Sequence, residues 1–126
     1  MRYIKAYKWT IVAVIVILIA VLMPADDVPS VGIPNIDKLV HAGMFGGLTL
    51  CFYGEYLWNN KKLPKLIYSW LAIEGFAIIT ELLQYFAEGR STDIKDLIAD
   101  TIGIILGIIV MTYFVTRRNA KQKGLL

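Results

Sequence analysis

The sequence predicts an all-α membrane protein with four transmembrane helices and both termini in the cytoplasm. Three observations carry that reading. Hydrophobic residues make up 57% of the chain and charged residues only 18%, whereas a soluble domain sits near about 45–50% and about 25%. At 126 residues the chain is too short to hide so much apolar surface in one water-facing core. The apolar residues fall into four runs, each close to the roughly 20 residues that a helix needs to cross a bilayer. The basic residues cluster between and beside those runs, as they do where they orient a chain in a membrane. This composition argues against a soluble enzyme, a disordered tail and a disulfide scaffold. Sheets are excluded, because unpaired strand edges cannot face lipid.

The first run, 9–23, follows a basic start of Arg2, Lys5 and Lys8. It resembles a signal peptide in that respect, yet Pro24, Ala25 and Asp26 follow without an A-x-A cleavage pattern, so a retained anchor is expected. Pro24, Pro29 and Pro34 then mark an extended, partly rigid loop to Lys38. The second run, 39–58, contains Cys51, the single cysteine. Cys51 can form no disulfide within the chain and reads as inert packing. A basic turn with Pro64 leads to the third run, 66–87, and a polar turn over 88–96 leads to the fourth, 97–116. From Arg117 the tail is basic and expected to fray. Glu55 lies near a helix end and is expected to snorkel toward water. Glu74 lies nearer the midplane and reads as structural. The whole of 1–126 is expected to form one transmembrane domain.

Topology follows from charge. Arg2, Lys5 and Lys8, then Lys61, Lys62 and Lys65, then Arg117, Arg118, Lys121 and Lys123 account for ten of the 13 basic residues. The positive-inside rule places these segments in the cytoplasm and turns the loops at 24–38 and 88–96 outward. Tyr3, Tyr7, Trp9, Trp58 and Tyr113 fall near the cytoplasmic ends, where aromatic residues anchor helices at the interface. The net charge of +3 is thereby explained without nucleic acid, and no basic stripe or aromatic platform suggests it.

That topology gathers the unusual polar residues at one depth. Asp37, Lys38 and His41 open the second helix. Glu81 and Gln84 lie near the outer end of the third, and Arg90, Ser91, Asp93 and Asp96 lead into the fourth, with Asp100 one turn inside it. Spacings of three and four put Lys38 with His41, Glu81 with Gln84, and Asp93 with Asp96 and Asp100 on shared helix faces. Gly103 and Gly107 continue the acidic stripe, and Gly43 and Gly47 offer a similar close surface on the second helix. Ionisable groups within a membrane cost about 2.5–3.5 kcal/mol each on insertion scales, so they call for a partner, water or a function. Glu81 is expected to reach Arg90, Lys38 or His41. Asp93 also suits a helix cap, as Ser91 does in preference to a nucleophile. One histidine among carboxylates lacks the usual His/Cys set of a zinc site, so no metal or other cofactor is expected. Neither a G-x-S-x-G nor a P-loop is present.

At these residues the chain resembles the VanZ-like family of small bacterial membrane proteins. The resemblance rests on Asp37-Lys38-Leu39-Val40-His41, Glu81-Leu82-Leu83-Gln84, Gly89-Arg90-Ser91-Thr92-Asp93 and Asp96 through Gly103, with Gly107. They match D-K-x-x-H, then E-x-x-Q, then G-R-x-x-D-x-x-D-x-x-x-N-x-x-G-x-x-x-G, in order and on three successive predicted helices. The pattern has Asn where this chain has Asp100, an extra acid expected to be protonated or paired with Lys38 or Arg90. The resemblance implies a multi-pass protein of the bacterial cytoplasmic membrane and envelope; the founding member is associated with resistance to teicoplanin. It supplies a context and no reaction, so whether the chain is an enzyme is left open.

The expected function is an outward-facing polar pocket that binds or acts on an anionic envelope lipid, such as a polyprenyl-phosphate-linked precursor. Lys38 and Arg90 would hold phosphate, and Glu81 and His41 are the acid/base candidates. Gln84 would orient a neighbour, Asp93 and Asp96 would position Arg90 or activate water, and Asp100 would join the binding set. Membrane lipids are the expected partners, and a homo-oligomer is the assembly considered. The alternative from another class is a non-enzymatic accessory that organises envelope components or partner proteins. A small transporter or channel with Glu74 and Glu81 along its path is a third reading.

Overall fold

The computed structural model describes residues 2–22, 36–86 and 94–124. The described residues are nearly all helical, with no strand among them. In chain order these are α1 (Arg2–Ala6), α2 (Lys8–Leu22), α3 (Ile36–Asn60), α4 (Leu66–Tyr85) and α5 (Ile94–Gln122).

Two of these helices, α4 and α5, are long and apolar enough to cross a membrane. In each, only 28% of the most apolar window is buried, whereas the core helix of a soluble protein is mostly covered. Leu71, Ile78, Ile79 and Leu82 on α4 and Ile98, Ile102, Ile105, Leu106 and Ile109 on α5 are exposed. So continuous an apolar surface is stable only against lipid or another protein.

The other two expected spans differ in form. The first, 9–23, falls on the 15-residue α2, shorter than the roughly 20 residues of a crossing, and the short α1 precedes it. At the join, Thr10 donates its backbone N–H to Glu55 Oε1 at 2.7 Å, Trp9 N–H donates to Oε2 at 3.1 Å, and Asn59 donates to the Ala6 carbonyl at 3.0 Å. Side chains of α3 therefore take over hydrogen bonds that a continuous helix makes internally. The second span is longer than expected, at 25 residues, and its glycines, polar and charged residues keep it less apolar than α4 and α5. The tail expected to fray is instead the last stretch of α5. Arg117, Arg118 and Lys121 are good helix formers and their charge favours a helix C-terminus. With 29 residues, α5 is about 43 Å long, longer than a hydrocarbon core of about 30 Å is thick.

Helix directions follow from contacts. Trp9 meets Glu55, and Tyr53 meets Ser69 at 2.5 Å, so α3 runs opposite to α2 and α4. Lys38 meets Asp96 and His41 meets Asp100, so α3 and α5 run parallel. These two helices form the closest pair. A Cβ on Gly103 would collide with the Ala42 carbonyl, and one on Gly107 would sit 2.9 Å from Thr49 Cβ and 3.1 Å from the Gly46 carbonyl. The Gly103–Gly107 stripe thus serves helix approach as expected, but its counterpart is Ala42, Gly46 and Thr49. Gly43 and Gly47 have no atom within 4 Å of where a Cβ would stand. His41 faces Asp100, which turns positions 43 and 47 away from α5. Below this contact, Ile17, Val21, Phe45, Leu48, Tyr53, Ile73, Ala77 and Ile104 form the apolar core.

Candidate functional site

The first turns of α3 and α5 and the last turns of α4 bring the polar residues together. His41, Glu81, Gln84, Asp96 and Asp100 are all buried, and the Asp100 side chain is fully so. Each is placed by the helix periodicity already described. Lys38 and His41 share the α3 face turned to α5, Asp96 and Asp100 share the opposing face one turn apart, and Glu81 and Gln84 lie on α4's buried face.

Two contacts tie α3 to α5. Lys38 Nζ donates to Asp96 Oδ1 at 2.9 Å, with the lysine partly exposed at the rim. His41 Nδ1 lies 2.8 Å from Asp100 Oδ1, a hydrogen bond in which the ring N–H donates to the carboxylate. The His41 Nε2 is 3.9 Å from Asp96 Oδ2, so the ring lies between two carboxylates. Glu81 completes the group from α4: one donor atom from each of His41, Glu81 and Asp100 lies within 4.8 Å of the others. The second Asp100 oxygen, Oδ2, is buried without a hydrogen-bond partner among the described residues.

Lys38, His41, Glu81, Asp96 and Asp100 therefore lie together, and Gln84 is buried on the same helix as Glu81. The pairing differs in one respect. Of the two partners named for Asp100, Lys38 lies one turn nearer the helix start and is opposite Asp96, and Asp100 meets His41. Arg90, Ser91 and Asp93, together with the Asp37 side chain, lie outside the described residues.

Three polar contacts elsewhere escaped the sequence reading. Glu55, expected to snorkel, accepts from Trp9 N–H, Thr10 N–H and the Thr10 hydroxyl. Glu74, about two turns before Glu81 on α4, accepts from Thr101 Oγ1 at 2.5 Å and ties α4 to α5 beside Asp100. Tyr53 and Ser69 share a buried hydrogen bond between α3 and α4. Residues such as Thr10, Ser69 and Thr101 gave no signal of their partners, since single hydroxyls in apolar helices usually bond to their own backbone.

The opposite end has another character. Arg2 lies over Tyr3, Lys8 over Trp9, Lys61 over Trp58 and Lys65 over Tyr68, at 5.1–5.9 Å from the ring centroids. Arg117 donates to the Tyr113 hydroxyl at 3.0 Å. Tyr3, Trp9, Trp58 and Tyr113 are thus exposed at one end, as interface anchors are, whereas Tyr7 stacks on Phe52 at 5.9 Å.

Comparison with known proteins agrees with the motifs. No solved structure matches. Over 116 residues the chain is 24% identical to a fission-yeast protein, the uncharacterized protein C11E3.10 of Schizosaccharomyces pombe, an alignment covering 92% of this chain and 71% of that relative. Its printed name assigns no activity. The sequence profile of VanZ/LLP1 matches residues 2–115. With the match spanning nearly the whole chain, the protein belongs to the VanZ/LLP1 family.

Proposed function

We propose that this is a multi-pass protein of a cell-envelope membrane whose polar site faces outward and binds, or acts on, an anionic lipid or lipid-linked precursor. In this reading α1–α2, α3, α4 and α5 cross the bilayer as one transmembrane domain, with both termini and the 61–65 turn in the cytoplasm. The loops at 24–38 and 88–96 lie outside. The basic and aromatic end described above supports that orientation, because lysine and arginine mark cytoplasmic ends and tryptophan and tyrosine mark the interface. Cysteines introduced at Ser30 and Ser91 should react with an impermeant reagent in intact cells, and one at Lys62 only after permeabilisation.

The observation that carries the functional reading is the buried group His41, Glu81, Asp96 and Asp100, with Lys38 at its rim. Charge at membrane depth is costly and is kept where it does work. Lys38 and Arg90 are the groups for phosphate, Arg90 through its fork of donors. Glu81 and His41 are placed to exchange a proton if chemistry follows, and Asp96 to activate water or hold Lys38. Gln84, Asp93 and Asp100 complete the binding set. A polyprenyl phosphate is the first ligand to test, and glycopeptide (teicoplanin) susceptibility is the first phenotype. Purified protein in detergent should bind a polyprenyl phosphate in preference to phosphatidylcholine, and Arg90→Ala should weaken that preference at least about tenfold, the equivalent of 1.4 kcal/mol. Equal binding of the two lipids contradicts the reading.

A second reading is favoured by the internal pairing of Lys38 with Asp96 and His41 with Asp100. Side chains that satisfy one another can serve packing alone, as in an accessory that organises envelope components. Glu81→Gln separates the two. A packing role tolerates this near-isosteric change, whereas an acid/base role loses function while thermal stability holds.

A further inference from the structure

We propose that His41, Glu81 and Asp100 form a binding site for a divalent metal cation. Donor atoms bound to one cation at about 2.0–2.2 Å lie about 3 Å apart when adjacent and no more than about 4.4 Å apart when opposite. One donor atom each from His41, Glu81 and Asp100 already lies within 4.8 Å of the others, so small side-chain rotations bring all three onto one ion. The 2.8 Å between His41 Nδ1 and Asp100 Oδ1 is close to the spacing of adjacent ligands.

Burial makes the case stronger than an acidic cluster alone could. His41 is 6% exposed, Glu81 5% and Asp100 0%. Asp100 Oδ2 has no hydrogen-bond partner among the described residues, although its side chain is fully enclosed. A buried carboxylate oxygen left in this way is expensive and calls for an explanation. A cation supplies it, since ligand oxygens need no donor.

Charge points the same way. Three carboxylates, Glu81, Asp96 and Asp100, are buried together here. Carboxylates gathered at low dielectric favour a cation among them. A divalent ion reverses the local sign and leaves coordination positions for phosphate oxygens, while His41 gives up a ring proton to solvent if the nitrogen bound is the one that carries it. One imidazole with carboxylates suits zinc or manganese better than calcium or magnesium, which favour all-oxygen sets. Asp96, 3.9 Å from His41 Nε2, is placed to orient the ring.

The inference shares the residues of the proposed lipid pocket but is tested without lipid. Chelator-stripped protein in detergent is titrated with Mn²⁺ alone, and free Mn²⁺ is followed by electron paramagnetic resonance, with Zn²⁺ as competitor. Wild-type protein should take up Mn²⁺ saturably, lose it to Zn²⁺ and unfold at a higher temperature with the ion present. Asp100→Asn and Glu81→Gln should each weaken uptake at least about tenfold and abolish the thermal shift. Asp100→Asn places there the residue of the family pattern, so folding should survive it. Glu55→Gln, which removes a carboxylate at the opposite end, should keep full uptake. No uptake by the wild type, uptake unchanged in Asp100→Asn, or equal loss in Glu55→Gln overturns the proposal. Cation uptake without polyprenyl-phosphate preference defeats the lipid reading alone, and the reverse defeats the metal site alone.

Discussion

The two ends of the bundle use the same residue types in opposite ways. His41 and Glu55 sit on one helix, α3, about 21 Å apart along its axis. At the His41 end the charges are buried and meet across helices, in Lys38 with Asp96, His41 with Asp100, and Glu81 beside them. At the Glu55 end the cations are exposed and rest on aromatic rings, and the one carboxylate serves the backbone of α2. Both ends carry acids, bases and aromatic residues nearby, so residue content alone does not separate them. Burial does. Exposed cations over rings contribute about 0.5–1 kcal/mol each and position the chain in an interface. A buried ion pair contributes little net stability but is costly to break on one side. The Glu55 end has the character of an anchor, and the His41 end keeps its charges buried among helices.

Substitutions at these ends should rank accordingly. Gly103→Val, just below the polar group, should have the largest effect, because its side chain enters the space of the Ala42 carbonyl. Loss of monodisperse, folded protein is the expected outcome in size-exclusion chromatography. Gly43→Ala is its control: with open space around that position, melting should be unchanged or raised, by up to about 1 kcal/mol of helix propensity. Next comes His41→Ala, which leaves Asp100 fully buried without its histidine and should cost about 3–5 kcal/mol if the acid stays charged, read as a large drop in melting temperature in detergent. Asp100→Asn should cost much less, since an amide can still accept from the ring N–H. Glu55→Ala removes the acceptor of two backbone N–H groups and a hydroxyl and should cost about 1–3 kcal/mol. A local signature should accompany it, namely faster amide exchange at Trp9 and Thr10. Lys38→Ala, at a partly exposed pair, should be the mildest, near about 1 kcal/mol. A His41→Ala protein as stable as wild type would erase the distinction between the ends.

Much of this was legible in the sequence because it depends on spacing. The threes and fours of Lys38–His41, Glu81–Gln84 and Asp96–Asp100–Gly103–Gly107 set which residues share a face, and charge counting set which helix ends meet. What was not legible depends on rotation between helices. Gly43–Gly47 and Ala42–Gly46 are both small pairs at i,i+4, and only the His41–Asp100 contact decides that the second faces α5. The same rotation gives Asp100 a histidine in place of Lys38, one of the two partners named for it. The short α1 ahead of the run at 9–23 was not legible for another reason: its join to α2 is stabilised by Glu55 and Asn59, more than 40 residues away. The roles of Arg90 and Asp93 still rest on the motif, because they lie outside the described residues.

The most direct test of the central claim, that the buried end holds an anionic envelope lipid, is native mass spectrometry of the protein extracted together with its own membrane lipids. Wild-type protein should retain a selected anionic lipid through detergent stripping. Arg90→Ala and Lys38→Ala should lose it while remaining folded. Retention of no particular lipid by the wild type, or the same lipid held equally by both variants, would contradict the account and leave the polar group a device for packing helices.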